Sequence, residues 1–251
     1  MKEEVTIDWV ESIDSTNNEL LRRCASLDNL SVLAAYSQTA GRGQRGNTWT
    51  AEPGANLTFS IFLRFGPSGL PPVKASGQFI LSELITLTVS DWLLVKGARA
   101  QIKWPNDIYV GRRKIAGILI ESSVAGEDLA TSVIGCGLNL NQSDFPPQLV
   151  NPTSLSLVTG QRYGLEESLK EIMDIFLNYI SLMQRPDGPS AIRESYLSRL
   201  YQKGFPCPYT DCLSGESFTG TILGLTPGGK LLVSTPTGPR EFSFKEISYI
   251  I

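Results

Sequence analysis

Four stretches concentrate the residue types that handle anions. The first, TAGRGQRGNTW (Thr39 to Trp49), sets Gly41, Gly43 and Gly46 at the spacing G-x-G-x-x-G. A dinucleotide-binding turn of that spacing opens a helix at its third glycine and has an acidic residue about 20 positions further on. Here the chain continues NTWTAEPGANL, where Pro53 and Gly54 break structure, so the context argues against a dinucleotide. What remains is a loop whose backbone amides approach an anion closely, with Arg42 and Arg45 adding donors suited to carboxylate or phosphate. A solvated surface loop has the same composition.

In the second stretch, KWPND (Lys103 to Asp107), Pro105 interrupts any regular strand or helix. Lys103 and Asn106 are therefore expected at a strand exit, where side chains converge on a ligand. Asp107 offers oxygen to a magnesium ion, directly or through water. A plain Asn-Asp turn is the alternative.

The third stretch is GRRKIAGILIES, in which Lys114 begins a strand. Period-2 alternation puts Ile115, Gly117, Leu119 and Glu121 on one face and Lys114, Ala116, Ile118 and Ile120 on the other. A glycine inside so apolar a strand signals close approach by a backbone or ligand, although Arg112, Arg113 and Lys114 also read as a solvated hairpin tip. In the fourth stretch, VIGCGLNLN, alternation places Gly135, Gly137 and Asn139 on one face and Ile134, Cys136, Leu138 and Leu140 on a core-facing row. A face of two glycines followed by an amide leaves space for a flat ligand with a polar handle; a bulge or a crowded core is the other reading.

These stretches need elements to hold them. Thr16 and Glu19 in DSTNNELLRRC have capping-box spacing, which predicts a helix from about Thr16. LSVLAAYSQ reads as the strand before the glycine loop, and NLTFSIFL, with Leu57, Phe59, Ile61 and Leu63 alternating, as a half-buried strand after it. Residues 72–96 carry Phe79, Ile80, Leu84, Leu87 and Trp92 at helical separations, closed by Gly97, as a core helix and not a membrane span. AQIKW, DIYV, KIAGILIES and TSVIGCGLNL read as successive strands, with Val110 to Lys114 a hairpin connection. Helical patterns over about Glu166 to Met183 and Pro189 to Tyr201 complete an α+β domain over residues 1–202. From Gly204 the texture changes to short strands and turn clusters, which predicts a small β-barrel-like domain over 203–251.

Composition narrows the chemistry. The chain has no histidine, which removes Ser-His-Asp and Cys-His nucleophile systems and imidazole zinc sites. A net charge of −3 does not fit a generally basic nucleic-acid binder, so any basic function is local. Cys24, Cys136, Cys207 and Cys212 lack C-x-x-C spacing, and Cys136 in its apolar run reads as a reduced core thiol. The N-terminal MKEEVTIDWV has no apolar signal core, so a soluble cytoplasmic protein is expected.

Taken together, STNNEL, QTAGRGQRGNTW, KWPNDIYVGRRKIAGILIES, IGCGLNLN and the final FTGTILGL…EISYI closely resemble biotin protein ligases, over nearly the whole chain. The resemblance implies a central mixed β-sheet flanked by helices, then a small SH3-like barrel. It implies an enzyme that activates biotin with ATP and magnesium to biotinoyl-5'-AMP, then transfers biotin to a lysine of a biotin carboxyl carrier domain. By that resemblance Ser15, Thr16, Asn17 and Gln38 are biotin-pocket residues, and Arg42, Gly43 and Gln44 belong to the loop closing over biotin and adenylate. Arg45 and Trp49 fall on the adenylate side, Trp49 as the aromatic of the adenine site. Lys103, Asn106 and Asp107 are phosphate and metal neighbours, and Lys114 contacts biotin's carboxylate and the reacting α-phosphate. Gly117, Gly137 and Asn139 match backbone and amide positions around biotin's bicyclic ring, Asn139 also on the adenylate side. Many members carry an arginine before Arg45 that helps retain the acyl adenylate; here Gln44 donates hydrogen bonds without a charge. Only 14 residues precede Ser15, too few for the winged helix-turn-helix of bifunctional ligase-repressors, so no DNA partner is expected. No membrane partner is expected either, and the protein is expected as a monomer or homodimer.

Overall fold

The computed structural model describes residues 5–250, the side chain of Arg45 excepted. Its first sheet is assembled from β1 (Ile7–Ile13), β2 (Val32–Gln38), β3 (Leu57–Arg64), β4 (Ala100–Lys103), β5 (Asp107–Val110), β6 (Arg113–Ala125) and β7 (Asp128–Leu138). The strand order is β1-β2-β3-β7-β6-β5-β4. The pair β1–β2 is parallel and every other pair antiparallel, which makes the sheet mixed, as expected.

Helix α1 (Thr16–Arg23) lies on one face, against β2, β3 and β7; the other face carries α2 (Phe79–Val95). Short α3 (Leu155–Thr159) follows β7, and α4 (Leu165–Met183) and α5 (Gly188–Ser198) pack on α2. Helix α2 is apolar all round because it sits between the sheet and those two helices, with Leu81, Leu84, Ile85, Leu87, Val89 and Leu93 fully buried. With the turn before it, Ala75–Val95 is long and apolar enough to cross a membrane by composition, yet it is mostly buried as a core element here, each buried Leu or Ile contributing roughly 1.5–3 kcal/mol. Gly97, at φ 87°, ends it as anticipated, with Ala98 N–H returning to Leu93 O.

Three expectations are corrected. The strand NLTFSIFL is buried on both faces, not one: Leu57, Phe59, Ile61 and Leu63 meet the α2 side, while Ser60 and Phe62 are enclosed beneath α1. Helix α1 does start at Thr16, but through no capping box. Ser15 is its N-cap, the Thr16 hydroxyl bonds Gln38, and Glu19 reaches Arg22 instead of the backbone. Helix α2 begins at Phe79, seven residues after the start of the apolar stretch, because Ala75–Gly77 form a separate 3₁₀ turn.

The second sheet contains β8 (Pro206–Asp211), β9 (Ser217–Leu225), β10 (Leu231–Thr235), β11 (Gly238–Phe242) and β12 (Ile247–Tyr249), all antiparallel in the order β11-β10-β9-β8-β12. This is the small barrel-like unit expected after the central sheet. Its Tyr209, Leu231, Val233 and Phe242 are continuous with the core of the first sheet. At the joint the Trp104 indole N–H donates to Gly229 O at 2.9 Å, and Arg193 of α5 donates to Thr226 O at 2.9 Å. The same guanidinium meets the buried Glu83 carboxylate of α2.

Gly229 combines φ 88° with a backbone so close to Phe79 that an added Cβ would lie 2.3 Å from its Cγ. Gly229→Ala is expected to destabilise the protein by about 2–4 kcal/mol in denaturant melts; an unchanged midpoint would contradict that packing. Burial raises the Glu83 carboxyl from its ordinary 4.5 to about 7, Arg193 offsetting only part of the rise. A carboxyl raised on folding contributes stability that is full below 4.5 and is lost as the pH climbs through about 7. Between about pH 5 and pH 8 the Tm of the unaltered protein should therefore fall relative to that of Glu83→Gln, and parallel Tm profiles would refute it.

Candidate functional site

Strand pairing lines up one transverse row across the first sheet. Thr58 pairs with Gly137, Gly137 with Gly117, Gly117 with Asp107 and Asp107 with Lys103. Residues opposed in this way project to the same face, so the row reads hydroxyl, bare backbone, bare backbone, carboxylate, ammonium. Above the two glycines lies a cavity of about 180 Å³. Its wall includes Ser15, Thr16, Asn17, Gln38, Arg42, Gly43, Gln44, Trp49, Asn106, Asp107, Lys114, Gly117 and Gly137. Segments far apart in sequence thus meet around one space, as the motifs imply.

Lys114 reaches this face by a route that alternation misses. Ile108 pairs with Ala116 and Tyr109 with Lys114, leaving Ile115 as an extra residue on β6. That bulge turns Lys114 from the face opposite Gly117 onto the same face. Its Nζ lies 2.6 Å from Asp107 Oδ1, and a Cβ added to Gly117 would stand 3.3 Å from it.

The glycine loop is folded down onto the cavity. Gly43 N–H donates to Asn47 O at 2.7 Å and Trp49 N–H to Gly41 O at 2.9 Å, a small antiparallel turn. Arg42 grips Glu121 with both terminal nitrogens, at 2.7 and 3.0 Å, and donates to Asn18 Oδ1 at 2.7 Å. The Trp49 indole lies flat on the glycine floor: a Cβ on Gly137 would come within 2.1 Å of its Cε2. The slot expected to leave space for a flat ligand is filled by a ring of the protein itself, whose buried indole N–H has no hydrogen-bond partner among the described residues.

On the α1 side, Gln38 Oε1 accepts from Thr16 N–H at 2.8 Å and from the Thr16 hydroxyl at 3.2 Å. Asn17 donates to Glu121 Oε2 at 3.0 Å, and its Oδ1 accepts from the Ser60 hydroxyl at 2.6 Å. Gly135 makes room for that amide, since a Cβ there would sit 2.1 Å from Asn17 Oδ1. Asn106 donates to Ile118 O and so fixes the turn after Pro105 against β6.

Two expected residues stand outside the cavity wall. Asn139 lies past the end of β7, where its amide donates to Thr153 O at 3.0 Å and is buried. Lys103 stands one row position beyond Asp107, its ammonium over the rings of Tyr109 and Tyr249. Burial lowers its pKa, with Asp107 acting in the opposite direction. The Arg45 side chain lies outside the described residues, and only its place in the Gln44–Gly46 turn is known. Glu121, Ser60 and Asn18 are site residues that the motifs do not single out. Glu121 was legible in one respect, since it shares the face of Gly117.

Among the described residues no group of three or more Cys, Asp or Glu is arranged to hold a metal. Asp107 is a single carboxylate with one oxygen against Lys114. That donor set fits a magnesium ion delivered on nucleotide phosphates, which keeps several waters, and not an ion caged by protein. Cys136 is buried with its thiol pushed up by burial, a core residue as expected, and all four cysteines are free.

Residues 9–139 match the Biotin/lipoate A/B protein ligase family. The chain is 31% identical to a biotin--[acetyl-CoA-carboxylase] ligase of Paracoccus denitrificans over 94% of this chain and 97% of that protein. It is 39% identical to the bifunctional ligase/repressor BirA of Escherichia coli, over 58% of this chain but only 44% of that protein. In three dimensions it superposes on a biotin protein ligase from Aquifex aeolicus, solved with biotin and ATP, with a TM-score of 0.78 at 24% identity over 97% of each chain. This likeness shows the fold; the match of residues 9–139 and the sequence match spanning nearly all of both proteins establish that the chain belongs to the Biotin/lipoate A/B protein ligase family.

Proposed function

We propose that the chain is an ATP-dependent biotin protein ligase, forming biotinoyl-5'-AMP and passing the biotinoyl group to a lysine of a biotin carboxyl carrier domain. Residues 1–202 are the catalytic unit in this reading and 203–251 the C-terminal one. The observation that carries it is the shared cavity: the Arg42 loop and Lys114 face each other over the Gly117–Gly137 floor.

In the first step a carboxylate oxygen of biotin forms a bond to the α-phosphorus while the bond to the bridging oxygen breaks and pyrophosphate leaves. In the second, the acceptor amine attacks the acyl carbon, AMP departs, and the amine loses a proton. Neither step needs a nucleophile from the protein, which is consistent with a chain that lacks histidine.

The protein's work is to bring two anions together. Like unit charges about 4 Å apart repel by about 4 kcal/mol at an effective dielectric of about 20, and cations must offset this. Lys114 is placed to do so at the reacting oxygen and phosphorus, and Arg42 at the adenylate. Both exchange an internal carboxylate, Asp107 or Glu121, for the substrate anion. Asp107 would stand beside a magnesium ion carried in on the phosphates, which when bound would supply charge neutralisation on the leaving group. Ser15, Asn17 and Gln38 line the end of the cavity proposed for biotin's ring. Trp49 must swing from the glycine floor for a ligand to lie there, and in its new position covers the adenine. Lys103 and Asn139, outside the present wall, meet the nucleotide after that rearrangement.

Biotin-dependent exchange of labelled pyrophosphate into ATP should be measurable with the purified protein, lost in excess EDTA and restored by magnesium. Exchange with lipoate and none with biotin would overturn the reading. Lys114→Ala should keep its melting temperature and lose roughly 10²–10³-fold in exchange rate, by comparison with removal of an oxyanion donor. A wild-type rate from that variant would remove Lys114 from its role.

A further inference from the structure

Among the described side chains, two of the cations in and beside the cavity have carboxylate partners: Arg42 has Glu121 at 2.7 Å and Lys114 has Asp107 at 2.6 Å. Lys103 has no ion pair or side-chain hydrogen bond among the described residues. Its ammonium is instead 4.9 Å from the ring centroid of Tyr249 and 5.3 Å from that of Tyr109. The difference is chemical. A carboxylate would hold the ammonium and cancel its charge, whereas aromatic faces hold it through their quadrupole and leave its charge and donors for another anion.

The two rings come from different parts of the fold. Tyr109 belongs to β5 of the first sheet and Tyr249 to β12 of the second. Tyr249 is itself braced, with its ring 5.3 Å from that of Tyr209 and 6.3 Å from that of Tyr201. Lys103 also occupies the end of the row that runs from Gly137 through Gly117 and Asp107. A ligand that fills the cavity and extends past Asp107 meets this ammonium next.

We propose that Tyr249 is a positioning residue for Lys103, so that the C-terminal sheet contributes to catalysis by holding one ammonium, outside any described ion pair, ready for the phosphates of ATP beyond the α-phosphate. The proposal rests on the adenylation reading above. Lys103 is the group that touches phosphate, and Tyr249 acts only through it.

The test is steady-state pyrophosphate exchange with full-length variants. Tyr249→Met keeps an apolar side chain of similar reach without a π face. It should raise the KM for ATP roughly tenfold, within the range of a desolvated cation–π contact, and leave kcat and the KM for biotin within about twofold. Tyr249→Phe, which keeps the ring, should restore the KM for ATP. In a Lys103→Met background, Tyr249→Met should add nothing further. A merely structural role would lower the active fraction, and hence kcat, in both backgrounds alike. An unchanged KM for ATP in Tyr249→Met, or the same added loss in the Lys103→Met background, would overturn the proposal. If Tyr249→Met shows no cooperative melt, Tyr109→Met, on the other ring, carries the same expectation and the same refutation. No exchange by the unaltered protein would overturn the adenylation reading and this proposal together; exchange without the ATP effect overturns this proposal alone.

Discussion

Strand register is the constraint from which the site follows. Thr58, Gly137, Gly117, Asp107 and Lys103 form one row only because five strands are paired in a single alignment. A slip of one residue in β6 or β7 would turn the glycines away and place Ala116 or Leu138 on the floor. Register of this kind is specified where both faces of a sheet are buried, and here they are: α2 covers one face and α1 part of the other. The core helix α2 therefore positions the site from behind the sheet, by making any other alignment expose Ile102, Ile108 and Ile118, and its Ser82 hydroxyl donates to Pro105 O in the turn that carries Asn106 and Asp107.

Within that frame, cations are stored in a form that can be released. The Arg42–Glu121 and Lys114–Asp107 pairs are partly solvated, and pairs of that kind are worth about 0–1 kcal/mol. A phosphate that offers the same guanidinium or ammonium several oxygens displaces the carboxylate at little cost. Glu83 with Arg193 shows the contrasting design. There the carboxylate is only 1% exposed, the guanidinium is fixed to two barrel carbonyls, and the pair joins elements instead of waiting for a ligand.

Much of this was legible in the sequence, and the exceptions share a cause. Residue types, loop positions and the glycine face of β7 follow from spacing and alternation, because these are local properties of a strand. Lys114 is the instructive failure: a period of two puts it opposite Gly117, and only the extra residue Ile115 brings it round, a bulge that depends on pairing with β5. Thr16 and Glu19 satisfy a local capping pattern, yet Gln38, Ser60 and Arg22 are better partners once the chain is folded. Thr58 and Ser60 look like a solvent face by their hydroxyls, but both are buried, Thr58 bonded to Ala35 O of β2 and Ser60 to Thr16 of α1. Strand β1, IDWVESI, escaped notice because an edge strand with Asp8 and Glu11 has neither clean alternation nor a continuous apolar run. Lys103 and Asn139 were assigned by type and neighbourhood, and their actual partners, two tyrosine rings and the carbonyl of Thr153, are contributed by segments that no spacing rule connects to them.

The C-terminal sheet raises the question of why an all-β unit so distant in sequence should be packed on the catalytic sheet at all. Its turn clusters predict a small β-barrel-like domain, and its apolar interior is continuous with the larger core. Its contacts fall on Trp104 and Lys103 at one end of the first sheet, beside the turn that carries Asn106 and Asp107, and on Phe79 of α2 and Arg193 of α5. That turn contains Pro105 and makes few backbone bonds of its own, so without a wall behind it Asp107 and Lys103 would depend on a four-residue strand at the sheet's edge. Edge strands are the least constrained elements of a sheet, and a cation that has to meet a phosphate within hydrogen-bonding distance tolerates little of that freedom. The edge is closed by the segment after α5, where Ile102 N–H donates to Arg199 O and Tyr201 N–H to Ile102 O, and Tyr249 of the second sheet then covers Lys103, so the carboxylate and ammonium at the end of the row acquire the rigidity that the glycine floor already has from its own pairing.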